Sequence, residues 1–151
     1  MNHESQTIIK ETLQGILVNM GISAEIEWEV LEDTAIFNVR TPDSGILIGQ
    51  HGANLGALQY LTRVLVHKKS SVSEHFVVDV EGYKKNREEF LRELARQAVM
   101  RVRDTKQTLL LKPMMAYERR VVHAEISKHP DIITESVGEE PERRILIKPK
   151  S

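Results

Sequence analysis

The sequence predicts an α+β protein of two small units, residues 1–82 and 83–151. Three observations carry that prediction. A helical stripe of apolar residues gives way to strict apolar–charged alternation. Two glycines three apart then sit between two helical stretches. After Gly82 a long amphipathic helix begins at once, with no Ser- or Pro-rich linker before it.

In the first unit, Ile8, Ile9, Leu13, Ile16, Leu17 and Met20 recur at helical spacing, and Gly21 supplies a stop. Ala24, Ile26, Trp28 and Val30 then alternate with Glu25, Glu27 and Glu29, the pattern of a half-buried strand with an acidic outer face. A turn over Leu31–Thr34 joins it to a second strand with Ala35, Phe37 and Val39 inside, so the pair reads as a hairpin with Trp28 and Phe37 directed to the core. Thr41–Ser44 is loop. Gly45-Ile46-Leu47-Ile48 makes a short helical turn, and Gly49-Gln50-His51-Gly52 interrupts it. Leu55, Leu58, Leu61, Val64 and Leu65 form the stripe of a helix from Ala53 to about His67, and Phe76, Val78 and Val80 make a third strand.

The second unit opens with a helix that buries Phe90, Leu91, Leu94, Ala95, Ala98, Val99 and Val102. Its other face carries Lys84, Lys85, Arg87, Arg92, Arg96, Arg101 and Arg103. Leu109–Leu111 is a short strand stopped by Pro113, Met114–Lys128 a helix that ends before Pro130, and Ile132–Glu135 and Ile145–Lys148 are strands joined through Gly138.

Composition bounds the function. With 40% hydrophobic and 28% charged residues, the 151-residue chain has the make-up of a globular protein. Zero cysteines exclude disulfides, thiolate nucleophiles and sulfur-ligated zinc. No apolar run approaches the roughly 18 residues of a membrane span, and Met-Asn-His-Glu-Ser is not a signal peptide, so the expected compartment is the cytoplasm, with no membrane partner. Charge is unevenly spread. Residues 1–60 carry two basic against eight acidic side chains, and residues 61–129 carry 15 against nine. A basic middle in a chain of net charge −1 points to a polyanion met on one face.

The Gly49–Gly52 loop suits such a partner. Without Cβ atoms the backbone approaches a ligand closely, and the next helix turns free N–H groups and its positive dipole end toward an anion. The element order, with Gly45-Ile46-Leu47-Ile48-Gly49-Gln50-His51-Gly52 and Leu58-Gln59-Tyr60-Leu61, resembles a type II KH domain (α-β-β-α-α-β), close to that of the bacterial Jag (SpoIIIJ-associated) RNA-binding family. That resemblance implies that Gly49, Gln50, His51 and Gly52 hold sugar-phosphate while bases enter a groove beside Ile46, Leu47, Ile48 and the second strand. Family loops usually place Lys or Arg in the two central positions. Gln50 and His51 stand here, which implies weaker or more pH-dependent binding, with protonated His51 as a partial substitute.

Arg119 and His123 lie four apart on a predicted helix and so share a face. Arg offers a planar fork to phosphate, and His a ring that donates or stacks. With Leu111-Lys112-Pro113-Met114, Tyr117–His123, Thr134-Glu135-Ser136, Gly138-Glu139 and Arg143-Arg144, they resemble an R-three-H domain, a small α/β unit that binds single-stranded nucleic acid and follows the KH domain in the Jag family. The resemblance runs from about residue 4 to 149. It implies that Arg119 and His123 bind the strand, with Arg120, Arg143 and Arg144 as supporting cations, and that the two domains pack together. Met115 and Ala116 replace the family's usual Asn or Ser and Pro, which alters the helix cap. The family's separate N-terminal Jag domain has no counterpart in these residues.

The expected function is therefore binding of single-stranded RNA, with single-stranded DNA as a second ligand, in a post-transcriptional regulator. The lysines and arginines of residues 84–106 fit either a track for nucleic-acid backbone or an exposed face laced by Glu88–Arg92 and Glu93–Arg96. Tyr60 and Tyr83 fit either core packing or base stacking. The six histidines show no metal-binding spacing, and no nucleophile elbow or phosphate-binding Walker loop occurs, so no catalysis, metal or cofactor is expected. A second reading is a protein-interaction module whose KH part pairs with itself or with another KH protein; Gln50-His51 favours it and Arg119–His123 opposes it.

Overall fold

Asn2 starts the first helix: its side chain accepts the Ser5 N–H at 2.7 Å, capping one of the donors a helix leaves unpaired at its start. The computed structural model describes all 151 residues, Met1–Ser151, and they form two units, Met1–Lys84 and Lys85–Ser151, each with its own apolar core. Chain order in the first unit is α1 (His3–Asn19), β1 (Glu25–Leu31), β2 (Thr34–Arg40), α2 (Ser44–Ile48), a 3-10 turn (Gln50–Gly52), α3 (Ala53–Lys69) and β3 (Phe76–Val80). The α-β-β-α-α-β order read from the sequence is present.

The sheet order is β1-β2-β3, with β2 antiparallel to β1 and parallel to β3. Ile9, Leu13 and Leu17 of α1 and Leu55, Leu58 and Val66 of α3 share one core with Phe37, Val39, Val78 and Val80 of the sheet. Trp28 departs from expectation. It is 42% exposed and Val30 48%, although their ladder partners Phe37 and Ala35 are buried. The apolar layer covers β2 and, on the edge strand β1, reaches only Ile26. The Trp28 and Phe37 rings stack at 6.5 Å, so Trp28 lids the core from its rim.

On α3 the buried line is Leu55, Leu58, Thr62 and Val66, and Leu61 turns outward. Thr62 is tolerated in the core because its hydroxyl donates to the Leu58 carbonyl at 2.7 Å. Gln59 does the work of a fourth strand: its amide donates to the Phe76 carbonyl and accepts the Val78 N–H, satisfying the outer edge of β3. Buried Asp79 accepts the Val80 and Lys84 N–H groups, joining the end of β3 to the start of the next helix.

That helix is α4 (Tyr83–Thr105), followed by β4 (Leu109–Leu110), α5 (Ala116–Ile126), β5 (Ile132–Val137) and β6 (Arg144–Pro149), with an antiparallel sheet ordered β4-β6-β5. Leu91, Ala95, Val99 and Val102 of α4 pack with Val122 and Ile126 of α5 and with Ile145 and Ile147 of β6. Phe90, expected inside, is 57% exposed, with the Arg87 guanidinium 5.1 Å above its ring. The α5 helix is shorter than its apolar pattern because Met114 is held outside it, its N–H on the Arg143 carbonyl.

Ion pairs bind α4 to its own unit. Fully buried Glu118 takes the Arg87 Nε–H at 2.7 Å and the Met115 N–H at 3.2 Å. Glu125 takes Arg96 and Lys128, and Asp131 takes Arg103 through two bonds of 2.6 and 2.8 Å. The Lys128 and Arg96 contacts hold the Glu125 carboxyl below its usual range, and the bonds from Arg103 lower that of Asp131 to about 2. Three of the α4 arginines are thus spent internally, and Glu88–Arg92 and Glu93–Arg96 pair on the surface, so the helix is less of a free phosphate track than its charge suggests.

Candidate nucleic-acid interface

The candidate site of the first unit is made of backbone. Helix α2 ends at Ile48, and the Gly49 N–H returns to the Gly45 carbonyl at 3.0 Å. Gly49 has φ +70° and ψ −174°, a conformation essentially reserved for glycine, and Gly52 is left-handed at φ +79°. Space is tight as well. A Cβ on Gly49 would lie 2.6 Å from the Asn54 side chain, and one on Gly52 would lie 3.0 Å from the Tyr83 ring. Tyr83 therefore packs behind the loop, while Tyr60 stands exposed on α3.

Between the glycines Gln50 and His51 are exposed, and His51 is itself left-handed at φ +55°. No side chain caps the first turn of α3; the 3-10 turn takes the Gly52 N–H on the Gly49 carbonyl at 3.4 Å and the Ala53 N–H on the Gln50 carbonyl, at the positive end of a 17-residue helix. Asn54, which sequence reasoning passed over, fixes this geometry by donating to the Ile46 carbonyl at 2.9 Å. Its only sequence signal is an amide two residues after the second glycine.

The apolar groove differs from the expected one. Ile46, 61% exposed, and Leu47, almost wholly buried, line a groove of about 370 Å³ with Ile16 and Met20 of α1 and Ala57 and Leu61 of α3, whereas Ile48 does not. Strand β2 does not line it.

The second unit builds its candidate site from side chains. Arg119 and His123 occupy successive turns of α5 on the flank facing β5. The His123 Nδ1 pairs with the Thr134 hydroxyl, which leaves Nε2 of an exposed ring for a ligand. Arg119 is only 11% exposed; its guanidinium donates to the Met114 carbonyl at 2.6 Å and to Glu140 Oε1 at 2.8 Å. Arg120 is exposed on the other flank of α5, in a shallow groove with Arg92, Tyr117 and Lys128. Arg143 spends its donors on Ser136 Oγ and the Gly138 carbonyl, bracing the β5–β6 loop, and Arg144 lies 3.5 Å from Glu142. No helix is long and apolar enough to cross a membrane.

Two family models match: "KhpA/KhpB, KH domain" over residues 6–80 and "R3H domain" over residues 89–149. The RNA-binding protein KhpB of Clostridium symbiosum is 36% identical over 148 residues, covering 91% of this chain and 67% of the relative. The proteins of the same name from Lactiplantibacillus plantarum and Bacillus subtilis are 28% and 29% identical, over 97% and 91% of this chain. The chain spans 45% of the former relative and 67% of the latter, so between about half and two thirds of the length of the curated relatives it matches.

Proposed function

Since the chain belongs to the KH–R3H family of the KhpB proteins, we propose that it binds single-stranded RNA through one site on each unit, a KH domain over residues 1–82 and an R3H domain over 83–151. The observation that carries the reading is the Gly49–Gly52 turn, in which two glycines held at positive φ open an uncapped helix. Phosphate oxygens accept N–H groups of the loop and of the first turn of α3, and Gln50 and His51 add side-chain donors without a fixed positive charge.

In the second unit His123 Nε2 and the remaining N–H groups of Arg119 grip a further stretch of the strand. Arg120 contributes long-range attraction, and Arg143 and Arg144 shape the neighbouring loop while adding charge. Two weak sites on one chain gain effective concentration, which offsets the uncharged KH loop. The role is one of binding, without catalysis, cofactor or metal, in a cytoplasmic post-transcriptional regulator; single-stranded DNA is the competitor ligand to compare.

Fluorescence anisotropy of labelled single-stranded RNA across a salt titration tests this. The parent is expected to show a negative salt slope, and Gln50→Asp/His51→Asp and Arg119→Ala/His123→Ala each to lose affinity. Binding lost only in the Arg–His variant would make the KH loop a scaffold, and no binding to RNA or DNA by the parent would sink the reading. The exposed Ile46–Met20–Leu61 groove favours a second reading, pairing of the KH unit with itself or another KH protein. Light scattering with and without RNA separates the two.

A further inference from the structure

Among the charged groups near Arg119, one is an acid. Glu140 donates no hydrogen bond; its Oε1 accepts from the Arg119 NH2 group at 2.8 Å, with a planar pair of oxygens much like those a phosphate offers. We propose that Glu140 is a built-in counter-ion of the Arg119 site, seated where a phosphate oxygen would bind and setting how tightly the second unit grips a strand. The inference rests on reading Arg119 as a nucleic-acid contact.

The pair is asymmetric. Arg119 is 11% exposed and pinned from behind by the Met114 carbonyl, whereas Glu140 is 59% exposed, so the carboxylate is the member able to leave. Its position is not that of a loose surface side chain. The β5–β6 loop that carries it is braced by Arg143 on Ser136 and Gly138 and by the Glu142 N–H on the Glu139 carbonyl. Of the other acids on this loop, Glu142 is answered by Arg144, and Glu139 has no contact with Arg119. His123, one turn along, bonds the neutral Thr134 hydroxyl and has no acidic partner. The two side chains of the motif therefore differ: in the free protein one is paired with an acid and the other with a neutral hydroxyl.

An arriving phosphate must displace Glu140 or tolerate its charge. Displacement returns a carboxylate to water and to its own counter-ions, so part of the ion release that normally drives nucleic-acid binding is cancelled. Removing the charge while keeping an acceptor should then strengthen binding and steepen its dependence on salt.

The test is anisotropy of labelled single-stranded oligouridine, at several salt concentrations, with the full chain and the variants Glu140→Gln, Glu140→Ala, Glu139→Gln and Arg119→Ala. Glu140→Gln is expected to bind about two- to fivefold tighter at low salt, the range of an exposed ion pair, and to steepen the log–log salt slope by up to about 0.7, one single-strand phosphate contact. In the Arg119→Ala background the same change is expected to do nothing. A Glu140→Gln variant no tighter than the parent, with Arg119→Ala weakened, makes Glu140 a positioning residue and overturns the inference while leaving the Arg119 reading intact. An equal gain from Glu139→Gln also overturns it, since the effect would then be general loop charge. If Arg119→Ala binds like the parent, the reading of Arg119 falls and the inference falls with it.

Discussion

The candidate sites of the two units are made of opposite materials. The first uses backbone: Gly49 supplies a conformation and a clearance that only glycine fits, Gly52 a left-handed turn against the Tyr83 ring, and the two side chains between them carry no permanent charge. The second uses side chains of α5, and these are already engaged, Arg119 with Glu140 and His123 with Thr134. A backbone site owes its shape to fold geometry, and charge enters it only through the side chains at its rim. A side-chain site is set by its neighbours and is tuned by single substitutions.

The comparison breaks most sharply at Glu118, whose buried carboxylate ties Arg87 of α4 to the start of α5. Glu118→Ala is expected to destabilise the protein by about 2 kcal/mol, through loss of the charged hydrogen bonds to Arg87 and to the Met115 N–H, and to disorder the presentation of Arg119 and His123. A urea melt followed by circular dichroism measures it. Gly49→Ala comes next: the φ, ψ pair and the 2.6 Å approach to Asn54 predict a loss of about 1–3 kcal/mol, with RNA affinity falling even under conditions where the variant stays folded. A conservative loop change sharpens the contrast instead. His51→Lys adds the missing cation and is expected to tighten RNA binding severalfold and steepen the salt slope by about 0.7, with little effect on the melt.

The smallest effect lies in acid. Asp131 is held at about 2 against an ordinary 3.8 by Arg103, so its carboxylate favours the folded state fully above pH 4, and that contribution is lost as pH falls toward 2. Asp131→Asn is expected to flatten that part of a stability-against-pH profile and to leave neutral-pH RNA binding unchanged.

How much of this was legible in the sequence follows the range of each interaction. The glycine loop, the helix after it and the Arg119–His123 spacing are local patterns, so element order and candidate residues read directly from the chain. Trp28 and Phe90 did not, because periodicity names the face of an element and says nothing of where the neighbouring layer ends. Trp28 sits on an edge strand beyond the core, and Phe90 lies outside the buried line of α4. The state of the arginines was equally hidden. Arg87 meets Glu118, 31 residues away, and Arg119 meets Glu140, 21 residues away, so a basic count overstates the charge available to a ligand. Arg143, which reads as a cation for RNA, braces a loop.

The most direct test of a two-site grip is a nuclear magnetic resonance titration of the isotope-labelled full chain with single-stranded RNA. The account predicts that the backbone amides from Gly49 to Leu55 and the side-chain signals of Arg119 and His123 move together and saturate with one apparent Kd. Movement confined to one of the two groups, or two separate saturation curves, would contradict it.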